Sequence, residues 1–107
     1  MNMPSPVKAY FDADQSGDAS ALAEAFAADA IVKDEGNTYI GRDTIEAWWS
    51  AAKAKYGPVA APLEVQPHGE VIKVLAEVTG NFPNSPARLT FAFKLAGAQI
   101  EHLEITQ

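Results

Sequence analysis

The chain predicts an α+β domain, with helices first and an antiparallel sheet second, the helices covering one face of the sheet. Two observations carry this. Up to Gly57 the apolar residues mostly recur at helical spacing, and after Pro62 they alternate as in half-buried strands. Turn-forming groups then punctuate the later apolar runs at hairpin distances, which makes consecutive strands antiparallel neighbours. The 107 residues suffice for one domain, spanning 1–107, and leave no room for a second core.

Val7, Tyr10, Phe11 and Asp14 share one face of a first helix, three of them apolar, and Gln15-Ser16-Gly17-Asp18 breaks it. Asp18 is placed as the N-cap of a second helix, its carboxylate able to accept from the free amides of the first turn. Leu22 and Phe26 lie at i and i+4 on that helix, and Asp29-Ala30 closes it. Ile31 to Asp34 reads as a short strand, Glu35-Gly36-Asn37 as a turn, and Thr38 to Ile40 as the returning strand. Gly41-Arg42-Asp43 leads into a third helix, capped by Asp43 or Thr44, with Glu46 early, where an acid suits the helix dipole. Ile45, Trp48, Trp49, Ala52 and Tyr56 form its buried stripe, and Gly57-Pro58 ends it.

Four strands follow: Pro62 to His68, Val71 to Phe82, Ala87 to Leu95 and Gln99 to Ile105. Leu89, Phe91, Phe93 and Leu95 alternate with Arg88, Thr90, Ala92 and Lys94, so one face of that strand is apolar. His68-Gly69-Glu70, Pro83-Asn84-Ser85-Pro86 and Ala96-Gly97-Ala98 supply the turns.

Composition narrows the function classes. There is no cysteine, hence no disulfide, thiol nucleophile or thiolate metal site. The net charge is −6 and the bases are scattered, apart from Lys53 and Lys55, which disfavours nucleic acid and anionic membranes as partners. Residues 1–54 hold nine acids and four bases, a solvated acidic surface. Met1 to Pro6 has neither a basic nor an apolar leader region, and no apolar run approaches the ~18–20 residues of a bilayer span, so a cytoplasmic location is expected. The only imidazoles are His68, in a turn, and His102; without acids at ligand spacing they predict no metal site.

The segment from Phe26 to Gly36, with Tyr39-Ile40-Gly41 and Ile45-x-x-Trp48-Trp49, resembles the nuclear-transport-factor-2-like superfamily, and within it the small stand-alone SnoaL-like proteins. Gly80 to Pro86 and Ile100 to Ile105 fit as well, so the resemblance runs from Val7 to Ile105. It implies three helices on a strongly curved antiparallel sheet, a cystatin-like cone with an internal cavity. It implies little about function, because this fold hosts isomerases, cyclases, dehydratases, epoxide hydrolases and binding modules.

Comparison with the ketosteroid isomerase branch sharpens the site. Asp34 falls on the position of that branch's general base and Tyr10 on that of its oxyanion-stabilising tyrosine. Phe91 falls where the branch carries a protonated acid as second donor, and Trp49 replaces a supporting tyrosine. The resemblance thus implies Asp34 and Tyr10 as catalytic residues in an apolar cavity. Tyr39, Trp48, Trp49 and Tyr56 would wall it, with Phe11, Phe26, Phe82, Phe91, Phe93 and Leu103 as further substrate-binding positions.

Each position also has a plainer role. Asp34 can cap the Asp-Glu-Gly-Asn turn at the surface, or orient a ligand without chemistry. Tyr10 can pack its ring in the core. Two functions therefore stay open: a cofactor-free acid–base isomerase or cyclase acting on a small, mostly apolar carbonyl compound, and a non-catalytic dimeric module binding a small apolar ligand. In both, the outer sheet face, with Lys73, Leu75, Glu77, Thr90, Ala92 and His102, is expected to form a homodimer. Glu104 shares the face of His102, opposite Leu103 and Ile105, and the resemblance leaves a second placement open, since some relatives carry a catalytic acid on this strand facing the cavity.

Overall fold

Helices α1 (Ser5–Ser16), α2 (Ala19–Glu24) and α3 (Arg42–Tyr56) pack on a six-stranded sheet of β1 (Phe26–Asp34), β2 (Asn37–Ile40), β3 (Val59–His68), β4 (Val71–Thr79), β5 (Ala87–Ala96) and β6 (Gln99–Thr106). This is a computed structural model and describes residues 2–107; Met1, at the head of the segment read for a leader, lies outside them. The strand order is β2-β1-β6-β5-β4-β3, and the sheet is open. The α+β class, with helices on one face, is as expected. The sheet departs from the expectation in one respect: β1 and β6 run parallel, while the other four neighbour pairs are antiparallel. Parallel pairing needs a long crossover, and here more than half of the chain lies between the partners.

Local chemistry explains the boundaries. Asp18 caps α2, its Oδ1 accepting from the Ala21 N–H at 3.0 Å. Neither Asp43 nor Thr44 caps α3, contrary to expectation. The N-cap is Gly41, at φ 92°, ψ 149°, with no side-chain cap bond. That backbone geometry is open essentially to glycine alone, and it lets the Gly41 N–H reach the Ala30 carbonyl at 2.9 Å.

Phe26 starts β1 and does not belong to the second helix, which stops at Glu24. Its carbonyl accepts from Arg42 Nε and Nη2, at 3.1 and 2.7 Å, and from Gln99 Nε2 at 3.3 Å, so it is committed to partners outside a helix. β4 ends at Thr79, short of Phe82, because Gly80 turns the chain. A Cβ on Gly80 would lie 2.9 Å from the Phe82 ring and 3.0 Å from the Pro58 Cα. β3 begins at Val59, three residues before Pro62.

The stripe on α3 faces the sheet, with Ile45 and Trp49 buried. Phe11, Phe26, Phe93, Ile100, Leu103 and Val32 are each no more than 1% exposed and form the centre of the core. Where the cone was expected to be hollow, aromatic rings touch. The Tyr10 ring lies 5.2 to 6.0 Å, centroid to centroid, from Phe11, Phe26, Phe91 and Phe93. No helix among the described residues is long and apolar enough to cross a membrane.

Candidate functional site

Asp34 is the last residue of β1. The hairpin pairs Asp34 with Asn37 across the two-residue loop Glu35-Gly36, whose φ values, 52° and 78°, are both positive. A two-residue loop of that kind matches the twist of the flanking strands. Asp34 thereby stays in the ladder, and Glu35 turns out to solvent.

Strand register decides which way Asp34 points. It is level with Ile105 on β6, and Ile105 with Phe91 on β5. This row lies on the inner face, since Phe91 is buried against Tyr10 and Phe11. The carboxylate is half-buried, and Trp48 Nε1–H on α3 donates to its Oδ2 at 3.2 Å. The Trp48 ring packs at 5.8 Å on Tyr39, which pairs with Val32 across the hairpin, on the same face as Asp34. Burial raises the carboxyl pKa above its ordinary value, the Trp48 bond partly opposes this, and the Glu35 charge adds to the rise.

Asp34 opens onto a groove of about 620 Å³ that wraps the end of the sheet. Its inner wall includes Leu89 and Ile105, and its rim Lys33, Asn37, Thr38 and Glu104. The groove is therefore apolar on one side and polar on the other, rather than apolar throughout.

Tyr10 is 3% exposed and does not line the groove. Its phenol is pushed well up, mainly by burial and then by the Asp14 and Asp34 charges, so it stays protonated as a donor must. Phe91 stands in the same cross-strand row as Asp34, and its ring offers no donor.

The other expected lining residues fall into groups. Phe11, Phe26, Phe93 and Leu103 are core, and the rings of Phe11, Phe26, Phe91 and Phe93 surround Tyr10. Tyr39 and Trp48 stand beside Asp34. Tyr56 and Phe82 form their own edge-to-face pair at 6.3 Å, where the Asn81 N–H donates to the Tyr56 carbonyl. Trp49 is buried and turned to Asp14, to which its Nε1–H donates at 2.9 Å. Asp14, the only buried charged residue among those described, was read from the sequence only as the polar member of the first helix's face. Its partners Trp49 and Ala60 lie 35 and 46 residues away, out of reach of spacing arguments.

His102 and Glu104 lie on the outer face, level with Ile31 and Lys33 of β1, while Leu103 is buried. Among the described residues no group of three or more His, Asp or Glu is gathered as a metal would require.

The SnoaL-like domain family matches residues 7–104. The chain belongs to that family. A crystal structure from Sinorhizobium meliloti, described as a "putative polyketide cyclase", is 45% identical to this SnoaL-like protein, covers 97% of it and 95% of its own chain, and superposes with a TM-score of 0.94. A hypothetical protein with a ketosteroid-isomerase-like fold from Catenulispora acidiphila, solved with trimethylamine, is 21% identical over 99% of this chain and 87% of its own, TM-score 0.86. A computationally designed 17-OHP binder is 14% identical over 98% and 92%, TM-score 0.80. The latter two likenesses speak to the fold alone. No curated protein matches the sequence significantly.

Proposed function

We propose that this SnoaL-like protein is a cofactor-free acid–base catalyst that isomerises or cyclises a small carbonyl compound, with Asp34 as the base. The observation that carries the reading is a half-buried carboxylate of raised pKa, held by one indole N–H and open to a groove. A base poised nearer working pH than an ordinary aspartate suits proton transfer at carbon. In the reaction, Asp34 takes a proton from the carbon next to the carbonyl and becomes a neutral acid. The C–H electron pair becomes an enolate. Returning the proton at another carbon completes an isomerisation. Attack of the enolate carbon on a second carbonyl of the same molecule forms a ring, and the new alkoxide takes the proton back from Asp34. Tyr10 is the proposed donor to the enolate oxygen, and a carbonyl reaches its hydroxyl only if the surrounding rings yield. The mixed groove walls suit a substrate with an apolar body and polar substituents.

The test is proton exchange at carbon. The protein is incubated in D2O with cyclic β,γ-enones and β-diketones, and loss of the α-proton signal is followed by NMR. Asp34→Asn is expected to slow exchange by about 10²–10⁴-fold. Exchange at the parent rate in a folded Asp34→Asn variant would refute the assignment.

A second reading, a binding module for a small ligand, draws on the ring-filled interior and on Phe91 in the row of Asp34. In it, Asp34→Asn changes affinity and there is no turnover to lose. Under either reading we propose a homodimer through the outer sheet face, where Leu75, Thr90, Ala92 and His102 are only half-covered in the monomer.

A further inference from the structure

Adjacent tryptophans on α3 serve two different carboxylates. Trp48 donates to Asp34 on β1, and Trp49 donates to Asp14 on α1. Asp14 sits one turn after Tyr10. Its second oxygen accepts from the Ala60 N–H of β3 at 2.9 Å, and Lys53 Nζ lies 3.1 Å from the first. Lys53 also donates to the Pro58 carbonyl and lies over the Trp49 ring, 5.3 Å from its centroid. One buried carboxylate thus joins α1, α3 and β3. Well-packed apolar residues often hold elements together at least as firmly as a buried ion pair. The directional bonds of this one, two of them made by α3 side chains, constrain the rotation of α3 about its own axis.

That rotation matters at Asp34. Neighbouring helical residues point about 100° apart, so pinning the Trp49 indole also aims Trp48. A turn of about 10° moves a side-chain tip, roughly 6 Å from the axis, by about 1 Å. Such a shift is enough to lose a hydrogen bond already 3.2 Å long.

We propose that Asp14 is a positioning residue for the Asp34 site, acting through Trp49 to set where Trp48 and Tyr10 stand relative to Asp34. The proposal rests on reading Asp34 as the base, but its test needs no substrate. The Asp34 carboxyl is titrated by carbon NMR, and the Trp48 indole N–H is followed by proton–nitrogen correlation, in the full chain and in Trp49→Phe. That variant leaves Asp14 its bonds to Lys53 and Ala60. The Asp34 midpoint is expected to rise by about half a pH unit, and the Trp48 indole signal to move toward its solvent-exposed position. Ile45→Val loosens the same helix without touching Asp14 and is expected to leave both readings in place. Asp14→Glu, which keeps charge and acceptors but displaces them, is expected to act like Trp49→Phe. If Trp49→Phe or Asp14→Glu leaves the midpoint and indole signal at parent values, or if Ile45→Val shifts them equally, the proposal is overturned. Failure of the proton-exchange test would remove the base assignment and leave this titration readable by itself.

Discussion

At the residue scale the proposed chemistry turns on how Asp34 is solvated. Burial disfavours its charge and the Trp48 N–H favours it, and burial is the larger effect. Trp48→Phe removes the favourable part, so the midpoint should rise further, by about half a unit to one unit for one lost hydrogen bond, measurable by carbon NMR. The same balance sets a stability prediction. A carboxyl whose folded pKa lies above its unfolded one stabilises the fold below the unfolded pKa. That contribution is lost as pH rises through the folded pKa. Asp34→Asn, which keeps an acceptor for Trp48, should therefore raise the melting temperature at neutral pH. The gain should shrink as the medium is acidified past the Asp34 midpoint. An equal gain at every pH would show that the charge is not the cause. That Asp34 ends a strand before a tight turn was legible from the sequence, because it is a local pattern; its bond from the Trp48 indole was not, because that donor comes from α3. The burial of Asp14 was not: its cause is three partners drawn from α3 and β3.

At the scale of elements, two junctions hold the site. The first is the Gly41 entry to α3, where the backbone takes a conformation that side chains resist. Gly41→Ala should cost about 1–3 kcal/mol, read by denaturant unfolding. The second is the Asp14 cluster. Asp14→Ala strands the Trp49 and Ala60 N–H groups and the partly exposed Lys53 ammonium, for a loss of about 3–5 kcal/mol, read the same way. Element type followed from periodicity for α1, α3 and the later strands. It failed at Phe26, where helical spacing from Leu22 was coincidental and the Arg42 and Gln99 bonds to its carbonyl decide for a strand. The caps show the same division. Asp18 acts within one turn and was readable, whereas Gly41 is set by a contact with Ala30 across the β1–β2 hairpin.

At the scale of the whole molecule, one face of the sheet is spent on the helices and the other is bare. The bare face sets Leu75 and Ala92 among Lys73, Glu77, Thr90 and His102, a small apolar centre in a polar rim suited to isologous pairing. Light scattering at micromolar concentration should give twice the chain mass, and Leu75→Glu should halve it without loss of helix content. A monomeric parent would set the dimer aside. The parallel β1–β6 pair could not be read from neighbouring turns, because four strands and a helix lie between β1 and β6 in the chain. That pairing sets Asp34 beside Ile105 and in the row of Phe91, and so makes the groove.

The most direct measurement is the carbon-NMR pH titration of the Asp34 side chain in the folded protein, assigned with Asp34→Asn. A midpoint clearly above the ~3.9 of a free aspartate is the predicted result and marks a desolvated base at the groove. A midpoint at or below that value would make Asp34 a solvated turn residue, and would contradict the catalytic reading at its root.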